Sequence, residues 1–122
     1  MKRYVEEDGS DGVRDAMRSA NRWFTCRITF VEAVRAVGMI GERGARAVRD
    51  EWPVFEVVEV DQRLAESAAQ LALEHGLRSL DALHLAAAQV LERADLVLAT
   101  WDARLHRAAL AAGLDVLPEA LP

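Results

Sequence analysis

The chain has one cysteine, one lysine, three prolines and seven aromatic side chains among its 122 residues. A single cysteine excludes a disulfide framework and any multi-cysteine zinc site. No uninterrupted apolar run approaches the roughly 20 residues that a membrane-spanning helix needs. The first ten residues, from Met1 to Ser10, carry Lys2 and Arg3 but no apolar stretch and no small-residue cleavage site, so they do not read as an export signal. A P-loop and a Gly-x-Gly-x-x-Gly pattern are also missing, since Gly38, Gly41 and Gly44 fall between helices and not between a strand and a helix. What these absences leave is a soluble, reduced, cytoplasmic protein of one domain, 1–122, with no place for membrane insertion.

What is present is lopsided. Alanine and leucine dominate the 52% apolar fraction, which favours helices. The 20 acidic and 15 basic residues give a net charge of -5, which weighs against a protein that coats nucleic acid by neutralising phosphates, though not against a nuclease. All the basic residues except Lys2 are arginine. Arginine forks suit phosphate oxygens, but a GC-rich coding sequence is the better account of an Ala-rich, Arg-rich, Lys-poor chain.

Periodicity divides the chain into alternating elements. Ser10 or Asp11 starts a helix that places Val13, Ala16, Met17 and Ala20 on one face. Trp23 to Ile28 reads as a strand, and Thr29 opens a helix that ends near Gly38 or Gly41. A helix from Glu42 to Glu51 is halted by Pro53, and Val54 to Val60 is a second strand. Asp61 caps a helix over Gln62 to His75 that Gly76 terminates, and a helix from Ser79 completes a hairpin with it. Leu96 to Ala99 and Leu114 to Leu117 are short strands on either side of a helix over Ala103 to Ala112. Strands separated by helical crossovers predict an α/β fold with a parallel sheet covered by helices.

Ligands of such folds collect beyond the carboxyl ends of the strands, where helices begin. Glu32, Asp81 and Asp102 all fall at expected helix beginnings. Carboxylates gathered in one crevice repel each other unless a cation lies between them, so the three are candidate metal ligands. Asp81 shares a helical face with Leu85 and Ala88 and is expected to be partly buried. Each acid also has a plainer explanation. Thr29-Phe30-Val31-Glu32 fits a capping box, and Asp81 and Asp102 stand where the helix dipole favours negative charge. His75, His84 and His106 lack metal-ligand spacing; His84 reads as a core or boundary residue, and His106 is placed for an i,i+4 ion pair with Asp102. Cys26, inside an apolar strand, reads as a small buried hydrophobe.

The run Leu77-Arg78-Ser79-Leu80-Asp81-Ala82-Leu83-His84-Leu85-Ala86-Ala87-Ala88, followed by Ala94-Asp95-Leu96-Val97-Leu98-Ala99-Thr100-Trp101-Asp102-Ala103-Arg104-Leu105, resembles the PIN domain, in particular the VapC-type ribonuclease toxins of toxin–antitoxin pairs. Arg27-Ile28-Thr29-Phe30-Val31-Glu32-Ala33 resembles the family's strand and acidic helix start, and Lys2-Arg3-Tyr4-Val5-Glu6-Glu7 with Gly9-Ser10 the segment after its first strand. The resemblance implies a three-layer α/β/α PIN-like domain with a small parallel sheet. It implies a Mg²⁺- or Mn²⁺-dependent endoribonuclease that acts as the toxin of a toxin–antitoxin pair, with RNA as substrate, an antitoxin as partner and a homodimer as assembly. Carried over by motif, the metal ligands are Glu32, Asp81 and Asp102, with Thr100 as a hydroxyl that helps orient the site. Arg78 or Arg104 could meet substrate phosphate, Trp101 could stack on a base, and the helices around residues 31 to 49 could supply a dimer or antitoxin groove.

One departure bears on activity. The family begins with an apolar strand that ends in Asp, ahead of the residues matching Lys2-Arg3-Tyr4, and the expectation is that this strand and its Asp are missing upstream of Met1. Glu6, Glu7 and Asp8 precede a turn and are not expected to replace a strand-end ligand. The alternative is therefore a truncated or degenerate, non-catalytic PIN domain that retains only an antitoxin-binding or dimerisation surface.

Overall fold

The computed structural model describes residues 10–20, 22–39, 41–91 and 96–121. The expectations that rest on Lys2 to Gly9 and on Ala94 and Asp95 lie outside the described residues. The chain divides into two compact units, Met1–Val58 and Glu59–Pro122, and each contains one parallel pair of short strands with helices.

In the first unit, α1 (Ser10–Ser19) precedes β1 (Phe24–Cys26). The Trp23 indole donates to the Met17 carbonyl at 2.7 Å, satisfying one of the acceptors that a helix C-terminus leaves open. β1 pairs in parallel with β2 (Glu56–Val58), with Phe24 opposite Glu56, Thr25 opposite Val57 and Cys26 opposite Val58. The Arg22 guanidinium holds the Glu56 carboxylate at 2.7 Å and lies 4.9 Å from the centre of the Phe24 ring.

Both strands are shorter than their apolar runs predict. At β2 the cause is Pro53, which sits in a 3₁₀ turn over Trp52–Val54 closed by the Phe55 amide donating to the Trp52 carbonyl. With no strand partner beyond Cys26 and Val58, the chain turns at once into α2 (Arg27–Gly38). Thr29 therefore lies inside the helix instead of capping it, the expected capping box with Glu32 does not form, and Glu32 moves from the first turn to the second. α3 (Glu42–Glu51) packs back on α2. Ala33, Val37 and Val48 are buried between them, with Phe30, Val34 and Trp52 packed against the cluster. A Cβ on Gly44 would lie 2.1 Å from Val37 Cγ1 and 2.8 Å from the Val37 carbonyl oxygen, so only glycine permits this approach.

The second unit follows its sequence signals closely. The Asp61 carboxylate accepts from the Leu64 amide at 2.8 Å and starts α4 (Gln62–His75), and Gly76, at φ +63°, ends it in the left-handed conformation. α4 and α5 (Ser79–Val90) form the expected hairpin, burying Leu64, Ala68 and Leu71 of the first helix and Ala82, Leu85, Ala86, Ala87 and Ala88 of the second. β3 (Val97–Ala99) pairs in parallel with β4 (Asp115–Leu117), and α6 (Ala103–Ala111) is the crossover between them. The Thr100 amide donates to the Leu117 carbonyl at 3.0 Å, extending the pairing one step past β3 towards the start of α6.

Candidate functional site

Three of the four residues singled out from sequence lie in the second unit. Asp102 is the N-cap of α6: its Oδ1 accepts from the amides of Arg104 and Leu105, both at 3.0 Å. This fixes the carboxylate rotamer and leaves Oδ2 turned to other partners. Thr100, buried, fixes the same turn from the other side, since its Oγ1 accepts from the Asp102 amide at 3.1 Å. The hydroxyl thus orients Asp102 through the backbone.

Asp81 lies in the first turn of α5, whose N-cap is Arg78. Its side chain is 14% exposed, in keeping with the face it shares with buried Leu85 and Ala88. A carboxylate in that position needs a counter-charge. Arg78 supplies it: Nε donates to Asp81 Oδ2 at 3.1 Å, and Nη2 donates to Asp102 Oδ2 at 2.7 Å. One planar fork therefore draws together two carboxylates that are 21 positions apart in the chain and on different helices. The hydrogen bond and the charge of Asp81, followed by the charge of Asp102, raise the Arg78 pKa above its already high ordinary value, so the guanidinium remains charged.

The expected pairing of Asp102 with His106 is not what the structure shows. His106 is buried, and its Nε2 lies 2.7 Å from the Pro118 carbonyl oxygen, while Asp102 turns to Arg78. One helical turn separates Asp102 from His106, but the imidazole meets the chain just past the end of β4. Cys26 is buried, as its surroundings in the sequence predict, and His84 is half-buried. Glu32 stands half-buried on α2 of the first unit.

The residue that sequence reasoning underrated is Arg78. Its i,i+3 spacing to Asp81 is visible in the sequence and predicts one of its two ion pairs. The other, to Asp102 across 24 residues, depends on the placement of β3 and α6. Asp81 and Asp102 present only oxygen donors, a pair that suits a hard divalent cation such as Mg²⁺ or Mn²⁺. The guanidinium already shows that a cation can sit against both carboxylates at once. Among the described residues, no group of three or more Cys, His, Asp and Glu side chains is arranged to hold a metal ion.

Residues 4–110 match the PIN domain. The chain belongs to the PIN-domain family. Within it, the chain resembles VapC proteins of Mycobacterium tuberculosis. It is 36% identical over 114 residues to Ribonuclease VapC45, an alignment that covers 91% of this chain and 79% of that protein. Identity to Ribonuclease VapC46 is 33% over 117 residues, covering 96% and 89%. Identity to Ribonuclease VapC35 is 36% over 112 residues, covering 88% and 82%. Family membership gives the chain the three-layer α/β/α PIN-like class, to which its short parallel strand pairs and crossover helices conform. No helix among the described residues is long and apolar enough to cross a membrane.

Proposed function

We propose that this PIN domain is a divalent-metal-dependent endoribonuclease of the toxin type, held in check by a partner antitoxin. The observation that carries the reading is the convergence of Asp81 Oδ2 and Asp102 Oδ2 on a single cation. Similarity to proteins named ribonuclease over most of the chain supports RNA as the substrate class. A homodimer and a cytoplasmic location complete the proposal.

In this reading Asp81 and Asp102 hold the metal, with Mg²⁺ or Mn²⁺ as the ion. Glu32 joins them as a third carboxylate on the strength of the sequence resemblance alone. When bound, such an ion lowers the pKa of a coordinated water and offsets charge growing on the phosphoryl oxygens. The chain's own contribution is positional. Asp102 is locked by two backbone amides through Oδ1, so its Oδ2 is presented without rotamer loss on binding. Thr100 holds the backbone that carries it. The partial burial of Asp81 limits the hydration of its carboxylate and so leaves it ready to take a cation.

The test is RNA cleavage with and without Mg²⁺ or Mn²⁺. Metal stabilisation of transition-state charge is worth several kcal/mol, so Asp81→Asn is expected to lower the cleavage rate by about 100-fold or more. Asp102→Asn should match it while leaving α6 capped, because Asn serves as well as Asp at an N-cap. Glu32→Gln with full activity would remove Glu32 from the ligand set. Undiminished cleavage by Asp81→Asn would remove the site.

A second reading has an observation of its own: Arg78 already pairs with both carboxylates, as in a PIN domain that keeps the pair for structure and retains only a binding surface. A melting-temperature titration with Mn²⁺ separates the two readings, because a site that binds metal in the folded state must stabilise it. No shift at millimolar Mn²⁺ favours the non-catalytic domain.

A further inference from the structure

We propose that Arg78 is an internal counter-cation that occupies the Asp81 and Asp102 carboxylates and must be displaced before a divalent metal can use them. The inference rests on the reading that these two residues are the metal ligands. It adds that metal loading is an exchange of one cation for another, governed by a residue of the same chain.

The geometry points to exchange for three reasons. First, Arg78 uses the same oxygens that a metal would. Asp102 Oδ1 is committed to the amides of Arg104 and Leu105, so Oδ2 is the atom left for a cation, and the guanidinium takes it at 2.7 Å. A dication placed there would stand beside a like charge, which disfavours both. Second, the base of Arg78 is fixed while its head is free to leave. Its carbonyl accepts from the Ala82 amide at 3.0 Å and opens α5 in extended geometry, but its side chain is 66% exposed and has water to move into. Third, the partners are unequal. Asp81, at 14% exposed, loses much of its hydration in the fold, whereas Arg78, at 66% exposed, regains hydration on leaving.

The strength of the hold follows from exposure. An ion pair near the surface corresponds to between about 1.4-fold and 5-fold in an equilibrium constant, so two such pairs on one fork correspond to roughly tenfold. A hold of that size resists adventitious metal at low concentration and yields when the concentration rises. Arginine is required for it, because only a planar fork reaches two carboxylates through separate nitrogens, whereas the ammonium of lysine is a single point charge.

The experiment measures Mn²⁺ binding to the 122-residue chain by isothermal titration calorimetry in the absence of RNA, comparing the wild type with Arg78→Gln, Arg78→Lys and Asp81→Asn. Circular dichroism melts first establish which variants are folded. The expected result is about tenfold tighter binding by Arg78→Gln, an intermediate gain by Arg78→Lys, and loss of binding by Asp81→Asn. Equal affinity of wild type and Arg78→Gln, with binding still lost in Asp81→Asn, would overturn the exchange and leave the metal site standing. Weaker binding by Arg78→Gln would also overturn it, by showing that Arg78 positions the ligands. A gain in Arg78→Gln with none in Arg78→Lys would reduce the effect to through-space charge and overturn the bridging role. Binding unaffected by Asp81→Asn, or no binding by any variant, would bring down the metal site and the exchange together. A second readout uses the wild type alone: the arginine Nε–H resonance of Arg78 should shift on titration with diamagnetic Mg²⁺, with the same midpoint as metal binding. An unmoved resonance at saturating Mg²⁺ would overturn the proposal even if Arg78→Gln failed to fold.

Discussion

In Glu59–Pro122, α4 starts on the carboxylate of Asp61, α6 starts on that of Asp102, and Gly76 ends α4 in a left-handed turn. In Met1–Val58 neither α2 nor α3 has a side-chain cap, and α2 follows β1 with no intervening residue. The packing differs to match. The second unit buries mostly alanine and leucine along a helical hairpin. The first gathers aromatic rings, with Phe30 5.0 Å from Trp52, Trp52 5.3 Å from Phe55 and Phe55 6.0 Å from Trp23. Local signals delimit α4 and the start of α6 in one unit, and a tertiary contact, the end of the β1–β2 pairing, sets the start of α2 in the other.

Substitutions can break this comparison. The largest effect is expected at Leu85, fully buried in the hairpin: Leu85→Ala should cost about 2–5 kcal/mol, read as a fall in the denaturant midpoint. A smaller but still large effect is expected in the first unit at Gly44, where a methyl group would meet the Val37 carbonyl and not only its side chain. Gly44→Ala should cost about 1–3 kcal/mol, against the gain that alanine normally brings inside a helix. The sharpest comparison is the smallest. Asp61→Ala should lose about 1 kcal/mol with its cap, while Thr29→Ala, inside α2, should stay within about 0.5 kcal/mol of wild type. Equal losses at Asp61 and Thr29 in thermal melts would mean that α2 is capped after all, and the contrast between the units would fall.

The same contrast explains what could be read in the sequence. Asp61, Gly76 and Asp102 act within three or four residues of themselves, so the ends of α4 and the start of α6 follow from the chain alone. The start of α2 does not, because it depends on where β1 runs out of pairing with β2, more than 30 residues later. Thr29 and Glu32 have the spacing of a capping box, and spacing alone cannot show that the helix has already begun at Arg27. At the candidate site, Asp81 and Asp102 were legible as acids at helix starts because each is a local feature. Their junction through Arg78 was not, since it combines an i,i+3 contact with one that spans α5 and β3. His106 illustrates the same limit, for the position of the Pro118 carbonyl beside it is set by the pairing of β3 with β4.

Cys26 joins several of these features at one atom. It is the last residue of β1, stands opposite Val58, precedes the uncapped start of α2, and is the chain's only thiol, 2% exposed. A thiol reagent can reach its sulfur only when the packing around it opens. The rate at which Cys26 is alkylated under native conditions is therefore a clock for local opening of the first unit, with no probe introduced. Compared with the rate of global unfolding, that clock reports whether the unit in which α2 and α3 lack side-chain N-caps breathes on its own.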